Sequence, residues 1–152
     1  MNAGQIKRLL RDYISSHTLG VFPVDKLPTI PRRNVKYPFC LIVNTDKCGN
    51  PGQHWVAIYV QSPEHGEFFD SLGRPPGEYS SLFLNFMKRY CDRMKWNVRQ
   101  VQGIGSSVCG QYCLFYLMNR SKGICMDCIL SPFVAEYSLN DRVIEVHLTD
   151  IL

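Results

Sequence analysis

The stretch HWVAIYVQSPEHGEFFD, residues 54–70, decides the fold. His54 to Gln61 and Gly66 to Asp70 are rich in aromatic and β-branched residues, which suit a pleated, packed surface, so each reads as a strand. Ser62 to Gly66 between them supplies the Ser, Pro and Gly of a tight turn. Two strands joined so closely pair antiparallel as a hairpin. The start of the first strand then faces the end of the second, which makes His54 and Asp70 neighbours.

Upstream, Pro38 to Asn44 reads as a buried strand through Phe39, Cys40, Leu41, Ile42 and Val43, followed by a turn-rich stretch from Asp46 to Gly52. Pro23, Pro28 and Pro31 break regular structure between Gly20 and Lys36, so a long ordered loop is expected there. Gln5 to Ser15 spaces Ile6, Leu9, Leu10, Tyr13 and Ile14 at helical intervals opposite Lys7, Arg8 and Arg11. Downstream, Gly73 to Gly77 is a turn. Ser80 to Met94 is a helix, with Leu82, Phe83, Phe86, Met87 and Tyr90 on one side. Trp96 to Gln102 is expected as a fourth strand, Gly103 to Ser107 as a small-residue loop, and Cys109 to Arg120 as an apolar central helix. A helix-rich tail ends in Asp141 to Leu152, whose type the pattern leaves open. The expected class is α+β: a mixed sheet of about five strands packed against helices, with Cys109 at the N-terminus of a central buried helix and one domain over residues 1–152.

The composition, 45% hydrophobic and 20% charged, is that of a folded chain. The net charge is +4. Arg32, Arg33 and Lys36 form one cationic cluster, and Lys88, Arg89, Arg93, Lys95 and Arg99 a second. These are either solvated faces or, if they converge in space, a polyanion footprint. No apolar run approaches the ~20 residues of a membrane span, and no signal core precedes the seven cysteines. An intracellular chain with mostly reduced thiols and no membrane partner is expected. Cys125 and Cys128 form a lone C-x-x-C that lacks the second pair a zinc site needs, so it reads as two small residues in a helix–helix connection, and no metal is expected.

A cysteine at the start of a helix, as Cys109 is, favours its thiolate because the helix N-terminus is electropositive. Gly110 beside it leaves room for a substrate backbone. Cys113, one turn on, points inward and reads as core. A thiol nucleophile needs a base, and of the four histidines (17, 54, 65 and 147) only His54 sits at a strand end, rigid yet open to a cleft. Asp70 can fix the tautomer of that imidazole. The backbone N–H of Cys109 and the side-chain amide of Gln102 are candidate oxyanion donors.

The succession Ile42-Val43-Asn44-Thr45, His54-Trp55, Phe69-Asp70-Ser71-Leu72-Gly73, Gln102-Gly103 and Cys109-Gly110 resembles the adenovirus-type cysteine endopeptidases, especially their relatives in Polinton-type mobile elements. The SUMO- and NEDD8-processing proteases fall in the same clan. The resemblance covers residues 19 to 120. It implies His54 as base, Asp70 as third member, Cys109 as nucleophile and Gln102 as the oxyanion side chain, with Trp55 and Asn44 in the substrate cleft. Asp70 stands where the adenovirus enzyme has Glu. The family cuts after glycine-containing sites in capsid and core precursors and is stimulated by DNA and by a short viral peptide. Cys91 holds the offset from Gln102 of the cysteine that bonds that peptide by a disulfide. The resemblance thus implies a monomeric maturation protease of the virion and host nucleus. The rival readings are a deSUMOylase- or deubiquitinase-like isopeptidase of the same clan, a non-catalytic DNA-binding domain, and an inactive protease scaffold.

Overall fold

The computed structural model describes residues 1–14, 17–49 and 54–151. Its elements, in chain order, are α1 (Ala3–Tyr13), β1 (Thr18–Pro23), β2 (Phe39–Asn44), β3 (Trp55–Val60), β4 (His65–Phe69), α2 (Ser81–Tyr90), β5 (Arg93–Trp96), α3 (Cys109–Ser121), α4 (Met126–Leu130) and α5 (Tyr137–Ile151). The strands form one five-stranded sheet in the order β1-β2-β3-β4-β5. Its two inner junctions are antiparallel and its two outer ones parallel, so the sheet is mixed and the class is α+β.

Helices cover both faces of this sheet, which explains the nearly continuous apolar strands. Successive side chains of a strand point to opposite faces. In β2, Phe39, Leu41 and Val43 join α2 and the segment around Val24 in one core, while Cys40 and Ile42 join α1, α3 and α5 in the other. In β3, Val56, Ile58 and Val60 belong to the first core, and Ala57 and Tyr59 to the second. Helix α3 lies in the second core and buries residues all round its axis, from Cys109 and Tyr112 to Leu117 and Arg120. A helix with so little polar surface needs this enclosure.

Arg120 and Glu67 sit within that core. The guanidinium donates to both carboxylate oxygens, at 2.8 Å from Nη2, and stacks over the Tyr59 ring at 4.4 Å. Tyr116 donates a further hydrogen bond to Glu67. Removing one member strands the other charge away from water. Arg120→Met is therefore expected to lower stability by about 3 kcal/mol in urea denaturation, and a second change, Glu67→Gln, to restore much of it. An unchanged unfolding midpoint in the single variant would show that the pair is dispensable.

Three sequence expectations are corrected. The supposed loop from Gly20 begins inside β1, an edge strand parallel to β2. Edge strands tolerate Gly20, at φ 126°, and Pro23, and the half-buried pattern of β1 hides its periodicity. Helix α2 stops at Tyr90, not Met94, and the strand expected at 96–102 lies earlier, at Arg93–Trp96. Residues beyond Asn97 are irregular, because the Asn97 side chain takes the place of a neighbouring strand. It accepts from the Asp70 N–H at 2.9 Å and donates to the Asp70 carbonyl at 2.6 Å. The open-ended tail is helical, as α5. Part of the turn expected over Asp46 to Gly52 and the last residue of the first predicted helix, Ser15, lie outside the described residues.

Candidate active site

The hairpin register, Ala57 opposite Phe69, places the entry to β3 beside the exit of β4. His54 precedes β3, and its carbonyl accepts from the Thr45 N–H at 2.9 Å, which fixes its backbone to the end of β2. Its Nε2 lies 2.5 Å from Asp70 Oδ1. The imidazole and the Cys109 thiol line the same cleft, close enough for each to shift the other's protonation. With Nε2 committed to Asp70, only Nδ1 remains for the sulfur. His54, Asp70 and Cys109, named from the sequence, thus meet in one place.

Asp70 is fully buried and fully engaged. Oδ1 also accepts from the Leu72 N–H at 3.0 Å. Oδ2 accepts from the Arg74 N–H at 3.1 Å and the Tyr79 hydroxyl at 2.6 Å. Burial alone would raise its pKa, but His54, Tyr79 and Leu72 together hold the carboxyl below its ordinary range. The turn that delivers these donors needs Gly73, at φ 75°, where a Cβ would come within 2.7 Å of the Val98 carbonyl oxygen.

Burial likewise opposes the charge on His54, yet Asp70 and Cys109 outweigh it and raise the pKa to about 9. The Cys109 thiol is pushed up by burial and pulled down further by His54, helped by the backbone at Trp55 and Gly110, so it lies below its ordinary value. Cys113 has no such partners, and complete burial raises its thiol well above the ordinary range. The arrangement supports an imidazolium–thiolate pair at Cys109 and none at Cys113.

Gln102 is buried beside them. Its Oε1 accepts from Ser71 Oγ at 2.5 Å, and its Nε2 donates to the Ser106 carbonyl and hydroxyl, each at 2.9 Å. The Ser71 bond sets the amide so that the NH2 end faces the 103–107 loop. Gln102 borders the same cleft as the sulfur, about 490 Å³ in volume, with Met1, His54, Trp55, Tyr79 and Cys109.

This is also the fold of a known viral protease. A crystal structure of the African swine fever virus pS273R protease superposes with a TM-score of 0.65 at 18% identity, covering 92% of this chain and 64% of that one. A selenomethionine crystal structure of the same protease gives 0.56 at 19% identity. In sequence, the chain is 29% identical over 142 residues to an Acanthamoeba polyphaga mimivirus protein named for thiol protease activity, covering 80% of this chain and 46% of that protein. It is 25% identical over 131 residues to the cysteine protease of African swine fever virus, isolate Tick/Malawi/Lil 20-1/1983, covering 78% and 48%. The chain spans about half the length of these curated relatives. No family model matches it.

The remaining sequence candidates fall less centrally. Trp55 walls the cleft, and its Nε1 donates to the Met1 carbonyl at 3.3 Å. Asn44 borders an adjoining groove shared with Met1 and Trp55, and its Oδ1 accepts from the Asp46 N–H at 2.8 Å. Gly110 is corrected. A Cβ there would lie 3.1 Å from Ile6, 3.4 Å from Trp55 and 3.5 Å from Met1, so the glycine admits the N-terminal segment and leaves no substrate room. Cys91 is a buried helix cap whose thiol donates to the Met87 carbonyl at 3.3 Å, and burial raises its pKa. Of the cationic clusters, Arg99 is tied to the carbonyls of Leu130 and Phe133, and Lys95 to Asp127 at 3.3 Å. Among the described residues no cluster of three or more His, Cys, Asp or Glu is placed to hold a metal, and no helix is long and apolar enough to cross a membrane.

Sequence reasoning missed Tyr79, Ser71 and Asn97. Tyr79 both donates to Asp70 and stacks on His54, with ring centroids 5.7 Å apart. Ser71, one residue past Asp70, had a readable signal in its place beside the acid. Asn97 had none, since nothing local marks a side chain that pairs with a backbone far away in sequence.

Proposed function

We propose that the chain is a thiol endopeptidase in which His54, braced by Asp70, holds Cys109 as a thiolate nucleophile. The single observation that carries this is the imidazole set between carboxylate and sulfur. The thiolate attacks a peptide carbonyl, and the charge on oxygen is met by the Cys109 N–H and by the Gln102 amide, which turns one N–H from the Ser106 hydroxyl to the oxyanion. His54 then protonates the leaving amine, and water hydrolyses the thioester. Tyr79, Ser71 and Asn97 are positioning residues for Asp70 and Gln102.

The substrate reading is cleavage after glycine, in capsid or core precursors of a virus or mobile element, within virion or host nucleus. The recessed sulfur supports it: Cys109 is only 7% exposed, between His54, Trp55 and Gln102, and a bulky side chain next to the scissile bond would be kept from it. Viral thiol and cysteine proteases as relatives point the same way. Assignment to the adenovirus–Polinton branch, stimulation by DNA or a short peptide through Cys91, and action as a monomer rest on the sequence resemblance alone.

The test pairs an electrophilic thiol probe with a substrate panel. Cys109 should be labelled ahead of the other cysteines, and peptides with Gly-Gly before the scissile bond should be cut faster than folded ubiquitin-like conjugates. Preference for the conjugates would favour the isopeptidase reading, and an unreactive Cys109 would remove the enzyme reading altogether.

A further inference from the structure

Cys125 and Cys128 take no part in this chemistry, yet they are built as a pair. Both are exposed free thiols, and neither borders the cleft of the candidate active site. The Cys125 sulfur caps α4, accepting from the Cys128 N–H at 3.4 Å. The segment before them is anchored, because buried Arg120 donates to the Ile124 carbonyl at 3.0 Å. Two exposed thiols three residues apart, one of them already seated on the backbone N–H of the other, need little movement to bond.

Cys125 also borders an open cavity of about 290 Å³ whose rim includes Gln61, His65, Arg93 and Lys95. The Glu67 carboxylate there is already taken by Arg120 and Tyr116, and Asp127 is paired with Lys95 at 3.3 Å. Among the described residues no carboxylate pairs with Arg93. The cavity therefore offers a cation to an anionic molecule beside the sulfur.

We propose that Cys125 and Cys128 form an exchange-competent dithiol that reacts with small anionic disulfides of the oxidised-glutathione class, seated in this cavity. The Cys125 thiolate attacks one sulfur of the disulfide, forming a mixed disulfide and expelling one glutathione thiolate. Cys128 loses its proton to solvent and attacks the Cys125 sulfur. The internal disulfide forms and the second glutathione thiolate leaves. The dithiol gives up two electrons and two protons, and one glutathione disulfide becomes two thiols. The Cys128 thiol and its N–H together hold Cys125 below the ordinary thiol range, and Cys125 in turn raises Cys128. That order suits Cys125 as the attacking thiol.

The test treats the full chain with oxidised glutathione or with neutral hydroxyethyl disulfide, quenches in acid, alkylates, and reads each cysteine by peptide mass spectrometry. Cys125 should react about tenfold faster than Cys48, an exposed thiol that serves as internal reference, and should end in a bond to Cys128. Cys128→Ser should instead retain a glutathione adduct on Cys125. Arg93→Ala, at an exposed position, should slow oxidised glutathione while leaving hydroxyethyl disulfide unchanged. Cys125 reacting no faster than Cys48, or no internal disulfide, overturns the dithiol. An equal effect of Arg93→Ala on both reagents overturns the anionic site. Neither result depends on peptidase activity, so the outcome is separate from that of the proposed function.

Discussion

Cys109→Ala is expected to abolish peptide cleavage, whereas Cys113→Ala leaves most of it intact. The two thiols lie one helical turn apart in α3, and the sequence reads Cys109 as the nucleophile and Cys113 as core. Their surroundings separate them. Cys109 faces an imidazole and a cleft, while Cys113 is wholly buried, with a thiol that burial holds in its protonated form. Without the sulfur no covalent intermediate forms, and comparable triads lose on the order of 10⁶ in kcat on removal of the nucleophile. Cys113→Ala deletes one buried sulfur and opens a small cavity, so about 1–2 kcal/mol of stability is expected to go, with kcat/KM changed less than threefold. Steady-state assays on a Gly-Gly peptide, with thermal unfolding of each variant, check both. Substantial turnover by Cys109→Ala, or inactivity of a folded Cys113→Ala, would move the nucleophile.

The parts of this site that were legible in sequence are those made by local rules. The β3–β4 hairpin follows from two apolar runs and a short turn, and it brings His54 to Asp70 with no long-range knowledge. Helix α3 follows from a small-residue loop leading into an apolar run. What was not legible depends on distant partners. Strands β1 and β5 are outer, parallel-paired and only partly buried, so their patterns carry little alternation. The path after Trp96 is set by Asn97 reaching Asp70, a side chain imitating a strand. Gly110 looked like room for substrate because the sequence could not reveal that α1 returns to cover it. That return is fixed by a capping box, in which Asn2 and Gln5 exchange hydrogen bonds of 2.9 Å and seat Met1 at the cleft.

Asp70→Asn is expected to lower kcat/KM by about 10²- to 10³-fold and to move the alkaline limb of the pH profile downward. In the proposed mechanism the imidazolium–thiolate pair is confined between two titrations. It forms as pH rises past the lowered thiol pKa and is lost as His54 deprotonates near pH 9. The asparagine removes the negative charge that helps keep His54 protonated, so the upper limit falls toward the ordinary 6.5. The amide also turns an NH2 toward donors that the carboxylate satisfied, at Leu72, Arg74 or Tyr79. Stability follows with a definite sign. His54, raised above its unfolded value, contributes fully below pH 6.5 and loses that contribution as pH passes about 9. Asp70, depressed, contributes above its ordinary 3.8 and loses it as pH falls through its lower folded value. The stability gap between wild type and variant should therefore be widest between these limits, near pH 4 to 6.5, and narrow above pH 9. Urea unfolding across that range, beside a pH–rate profile, tests both consequences. An unshifted alkaline limb in a folded Asp70→Asn variant would mean that the carboxylate does not govern the charge on His54.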